Sequence, residues 1–133
     1  MMTEFLGEGK FRKVFAGPRE FTVTKHAKSR EGRQSNKCEV EIYYLSLFTE
    51  LEQWLAPIYE YEISKYNWIV QRRAEPVLEV PVDIIQMCPP QFSDKLQAKN
   101  WGLINGIYVL IDYGSIRNLQ EVQNYVRSIH RRL

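Results

Sequence analysis

The chain has 133 residues, 44% apolar and 13% aromatic, and carries a net charge of +2. That length supports one domain with a real core, and that composition argues for a globular protein and against disorder. The near balance of charge makes no case for a nucleic-acid or membrane partner, and no apolar run approaches the length of a membrane span.

In chain order, "KFRKVFAG" and "REFTVTKHAK" alternate as strands do, with Gly17-Pro18 as the turn between them. Phe21, Val23 and Lys25 then share one face of the second strand. The polar, basic run "KSREGRQSNK" reads as a loop feeding a helix. A helical pattern covers residues 35–55, carried by Ile42, Leu45, Leu51 and Leu55 with Phe48 between them, and Pro57 helps to stop it. "IYEYEIS" and "NWIVQRR" read as two strands joined by a turn at residues 65–67. Pro76, Pro81, Pro89 and Pro90 rule out a long helix through the next segment and leave room for a short one around Val82 to Met87. In "WGLINGIYVLID" an Asn105-Gly106 pair between apolar runs predicts a two-residue hairpin. A final helix is expected from Asn118 as N-cap, with Leu119, Val122, Val126 and Ile129 on one face. The fold class is therefore α+β, built on an antiparallel sheet.

Several residues stand out chemically. "GEGKFRKV", from Gly7 to Val14, fits a G-x-G-x-x-G-x-V loop with Arg12 in place of the third glycine. Glycines there let backbone N–H groups approach phosphates, and a plain hairpin turn is the alternative. Lys25 ends an alternating strand, with Lys28 as the register alternative. Glu39 shares a helix face with Ile42 and Tyr43, so it needs a partner, which Lys25 would supply; Glu41 is the second candidate. Asp112 follows the apolar run Val109-Leu110-Ile111 and precedes Tyr113-Gly114. Such an aspartate is either a turn former or a metal ligand. Cys38 and Cys88 form no disulfide framework or zinc pattern. His26 and His130 have no nucleophile motif beside them. "MMTEFLGEGK" has no apolar signal core, so a reducing cytoplasmic setting is expected.

The order of glycine loop, strand lysine, helix glutamate, strand with connector, and "KNWGLINGIYVLIDYGS" resembles the protein-kinase-like fold. More narrowly it is similar to compact kinase-like proteins of bacteria and their phages, through "EGRQSNKCEVEIYYL" and the Asn-Trp-Gly to Ile-Asp-Tyr-Gly run. The likeness covers about residues 5–117. It implies a single miniature domain over 1–133, with an N-lobe-like sheet and one long helix in 1–74. A strongly reduced C-lobe, a hairpin and a C-terminal helix, would fill 75–133. It implies ATP and Mg²⁺ as cofactors. Gly7, Gly9, Val14, Lys25 and Glu39 would serve the nucleotide, with Gln71 as gatekeeper and residues from Arg72 to Ala74 as the hinge. Asn100 and Asp112 would hold the metal.

The departures are equally informative. Setting the catalytic-loop asparagine on Asn100 places Leu96 on the leucine of the motif, Lys95 on the catalytic aspartate, Asp94 on the arginine and Ser93 on the histidine. Asp94 would serve as base only after a one-residue shift. No activation loop or peptide platform can be placed. The resemblance therefore implies a pseudokinase that binds a protein partner, in the host cytoplasm if phage-encoded. The alternatives are an active small phosphotransferase using Asp94, Asn100 and Asp112, and a viral inhibitor or adaptor that binds no nucleotide. In the last case Gln71, Arg72 or Arg73 would block the adenine site. A weaker reading is a nucleic-acid binder using Arg12, Lys13, Arg30, Arg33, Arg131 and Arg132. Positive charge in "VRSIHRRL" also suits a helix C-terminus.

Overall fold

The computed structural model describes residues 4–132, leaving the side chain of Arg132 outside that description. It is an α+β structure. Strands β1 (Phe5–Glu8), β2 (Arg12–Ala16) and β3 (Thr22–Ala27) lead into helix α1 (Arg30–Ser46), followed by β4 (Ile58–Tyr61) and β5 (Trp68–Arg72). These five strands form one antiparallel sheet in the order β1-β2-β3-β5-β4, so β3 is central and carries Lys25 between Val14 and Ile69. A second antiparallel sheet joins β6 (Glu75–Pro76), β7 (Trp101–Ile104) and β8 (Ile107–Leu110). Helices α2 (Val82–Met87) and α3 (Ile116–Arg132) complete the chain. No helix among the described residues is long and apolar enough to cross a membrane.

Three helix boundaries differ from the sequence expectation. Helix α1 begins inside the polar run, because Ser29, in extended conformation, accepts a hydrogen bond from Gly32 N–H (3.3 Å) and caps the first turn. It stops at Ser46. Thr49 Oγ1 donates to Ser46 O (2.7 Å), Glu52 Oε1 accepts from Phe48 N–H (2.8 Å), and Phe48 takes a left-handed φ of 64° with its ring in solvent. A short 3₁₀ turn over Glu52–Trp54 then returns Leu51 and Leu55 to the core. Both sets of apolar residues face the core, but by two routes rather than one helix. At the other end, Ser115 and not Asn118 caps α3: its Oγ accepts from Asn118 N–H (3.1 Å). Strand β1, with two exposed ends and Gly7 inside it, lacks the apolar alternation that would announce it. Phe21 falls outside β3, with φ 63° and an exposed ring, so it does not share the face of Val23 and Lys25.

The core runs continuously from Ile42 on α1 through Leu51, Leu55, Ile58 and Ile69 to Phe92, Trp101, Leu110, Tyr113 and Val122. Burial of each large apolar side chain contributes about 1.5–3 kcal/mol, so these side chains tie the two sheets and α3 into one body. The hairpin forms as its sequence predicts. Asn105 (φ 50°) and Gly106 (φ 78°) close the loop between Ile104 and Ile107. Gly106→Ala puts a Cβ into left-handed backbone and is expected to lower stability by about 1–2 kcal/mol. Urea unfolding would check this; an unchanged midpoint would argue against the turn.

Candidate functional site: a buried ion-pair chain beneath an open cleft

Lys25 points from the central strand toward α1, where Glu39 is fully buried. Lys25 Nζ donates to Glu39 Oε1 (2.6 Å) and to Ile111 O. The register and face alternatives are settled: Lys28 lies at the surface with Glu8 (2.6 Å), and Glu41 is not in the pair. Glu39 is shared with a third residue. Arg12, at the start of β2 and 7% exposed, lies over the same helix. Its Nη1 donates to Asn36 Oδ1 (3.1 Å) and Glu39 Oε1 (3.2 Å), and its Nη2 to Glu39 Oε2 (3.3 Å) and Asp112 Oδ1 (2.6 Å). Tyr113 N–H donates to Glu39 Oε2 (2.9 Å). Gly114 makes that approach possible, since a Cβ there would meet the Ser35 carbonyl and stand 3.0 Å from Glu39 Cβ.

The result is a chain of alternating charge, Lys25–Glu39–Arg12–Asp112, with two cations and two anions. Burial alone would raise the Glu39 carboxyl, but the charges of Arg12 and Lys25, with hydrogen bonds from Lys25 and Tyr113 N–H, hold it down at about 2. Burial depresses the Lys25 ammonium; Glu39 opposes this, but shares its charge with Arg12, whose own charge adds to the depression. Burial works against the Arg12 charge, yet Glu39 and Asp112 together raise its pKa.

Above this chain opens a cleft of about 530 Å³. Of the residues singled out in the sequence, Gly9, Val14, Lys25, Asp94, Asn100 and Asp112 line it, and Arg12 forms part of its floor. Asn118 organises the far wall. Fully buried, it donates from Nδ2 to Asp94 Oδ2 (2.6 Å) and Tyr113 O (3.0 Å), while its Oδ1 accepts from Ser93 N–H (3.0 Å) and Ser93 Oγ–H (2.9 Å). Asn100 Nδ2 donates to Asp94 O (3.0 Å). Burial raises the Asp94 carboxyl, opposed by the Asn118 hydrogen bond and reinforced by the charges of Asp112 and Glu39. Lys95 turns away: its Nζ donates to Cys88 O (2.8 Å).

Gly7, Gln71, Arg72 and Ala74 are not among the lining residues. Gln71 is buried, with Nε2 directed at Ala56 O (3.5 Å), and Arg72 lies over the Phe21 ring at 5.3 Å. The N–H groups of Arg72 and Arg73 are spent on Pro57 O (2.9 Å) and Phe21 O (2.7 Å). Arg12 is enclosed, so the scattered basic residues lose one member; Lys13, Arg30 and Arg131 are exposed and Arg33 half-buried, while the Arg132 side chain lies outside the described residues. Sequence reasoning missed Arg12 and Asn118 as site residues. The signal for Arg12 was present as its departure from the glycine pattern; for Asn118, no local pattern pointed to a long-range role.

Among the described residues no three His, Cys, Asp or Glu side chains gather into a metal cluster. The fit of the Mg²⁺ implied by the resemblance is poor where Arg12 stands: Asp112 Oδ1 is taken by a guanidinium, and a dication beside it would face like charge. The chain matches no protein-family model and no curated protein.

Proposed function

We propose that the chain is a degenerate protein-kinase-like domain, a pseudokinase that works by binding a protein partner. The observation that carries this reading is the Arg12–Asp112 pair at 2.6 Å. It neutralises the aspartate that a kinase-like site would use for metal, while Lys25 and Glu39 retain a structural pairing. Two further features support it. Lys95, aligned on the catalytic base, is spent on Cys88 O, and the backbone donors of Arg72 and Arg73 are already engaged, which leaves less for an adenine ring. Leu78, Val82, Met87 and Leu96 lie mostly in solvent, the kind of apolar exposure that protein contacts cover.

A second reading, an active phosphotransferase, is favoured by one specific observation: Asp94, Asn100 and Asp112 line the same cleft, where burial raises the Asp94 carboxyl above its ordinary value. A transfer assay with radiolabelled ATP separates the two. The purified wild-type chain is expected to transfer no phosphoryl group to itself or to a generic acceptor above a no-protein blank. Robust transfer that disappears in Asp94→Asn and Asp112→Ala would replace the pseudokinase reading with the enzyme.

A further inference from the structure

We infer that Arg12 is a built-in substitute for a divalent cation, and that the cleft takes a polyphosphate-bearing ligand without metal. The inference rests on the kinase-like reading for the identity of Asp112 as the metal corner, and deepens it by naming the ligand chemistry.

Asp112 is the member of the ion-pair chain most open to solvent, with its side chain 55% exposed, so it is the point at which a cation from solution would enter. One of its two oxygens, Oδ1, is already paired with Arg12. Arg12 uses both terminal nitrogens on Asn36, Glu39 and Asp112, and its side chain is 9% exposed, so it is held by four hydrogen bonds rather than resting at the surface. A metal ion could use Oδ1 only by displacing the guanidinium, and at Oδ2 it would stand beside both Arg12 and Lys25. Coulomb repulsion from two buried cations opposes either position.

The charges left over favour an anion. Arg12 and Lys25 balance Glu39 and Asp112. Beyond them the cleft is lined by Lys10 and Lys99, neither with a carboxylate partner among the described residues, against Asp94 alone. Lys25 has three donors and spends two, on Glu39 and Ile111 O. Together they offer phosphate oxygens two ammonium groups without a carboxylate partner, Lys10 and Lys99, and one further N–H donor from Lys25. The adenine end offers less: Gln71, Arg72 and Ala74 do not reach the cleft. Inorganic tripolyphosphate is therefore the appropriate probe.

The full chain is titrated with tripolyphosphate by calorimetry, once in EDTA and once in excess Mg²⁺. The expected result is a Kd in EDTA no more than about threefold weaker than in Mg²⁺, and tighter where Mg²⁺ chelated by the probe lowers its negative charge; threefold is less than the 1.4 kcal/mol that a tenfold change represents. Lys99→Ala, an exposed change, should weaken binding several-fold in both buffers. Mn²⁺ added to wild-type protein should keep the electron paramagnetic resonance spectrum of the free ion, and Arg12→Met should bind Mn²⁺ and become Mg²⁺-dependent. If Arg12→Met does not fold, the wild-type comparison decides. Binding at least tenfold tighter in Mg²⁺ overturns the inference, as does no binding in either buffer. Loss of both the inference and the pseudokinase reading would appear as Mg²⁺-dependent binding together with phosphoryl transfer. Absence of binding and of transfer would remove the inference alone.

Discussion

Replacing Glu39 by alanine is expected to cost about 3–5 kcal/mol of folding stability, the range for breaking a buried ion pair by removing one partner. Glu39 is fully buried and accepts from Lys25, from both terminal nitrogens of Arg12 and from Tyr113 N–H. Without it two cations remain below the sheet with only Asp112 as a carboxylate partner, and the Tyr113 N–H loses its acceptor. Because a domain is commonly stable by only about 5–15 kcal/mol, the variant should unfold at much lower urea. Lys25→Met should be milder, since Glu39 keeps Arg12. Replacing Arg12, Lys25 and Glu39 together with Met, Met and Leu should recover part of the loss, because charge desolvation then no longer opposes folding, while the Tyr113 N–H still lacks its acceptor. A Glu39→Ala variant within about 0.5 kcal/mol of wild type, the ordinary surface range, would show that the ion-pair chain does not form.

Acid should reveal the same residue. The Glu39 carboxyl is held at about 2 in the folded chain against an ordinary 4.5. Its folded pKa lies below its unfolded one, so its contribution is present in full above about 4.5 and is lost as pH falls through about 2. Over that window the loss amounts to roughly 3 kcal/mol. Asp94, raised by burial, works in the opposite sense and offsets part of it. Urea unfolding followed from pH 6 down to pH 2.5 should show stability falling in wild type, and a flatter dependence in Glu39→Gln. Parallel pH curves for the two proteins would contradict the depressed carboxyl.

Both predictions concern residues of which only part was legible in the sequence. Lys25 and Glu39 could be found because strand alternation and helix periodicity place each on an inward face, and an inward charge needs a counter-charge. The same local rules gave the α+β class, the hairpin at Asn105-Gly106 and the short helix Val82–Met87. They failed where local periodicity and chain path diverge. The apolar spacing of Leu45, Leu51 and Leu55 reads as one helix, yet Thr49 and Glu52 end it at Ser46 and a 3₁₀ turn restores the buried face.

The sequence by itself determined the α+β class, the Asn105-Gly106 hairpin and the need of Lys25 and Glu39 for counter-charges, because strand and helix periods act over a few neighbouring residues. Tertiary structure alone decided which cation holds Asp112. Arg12 and Asp112 stand 100 positions apart in the chain, and no helix or strand period links residues at that separation. Only folding β2 over α1, with the segment after β8 against the same helix, gives one carboxylate two cations and one guanidinium two carboxylates. Asn118 shows the same limit: its sequence suits a cap, but the packing of residues 93–94 against Tyr113 turns it into a buried tie between them.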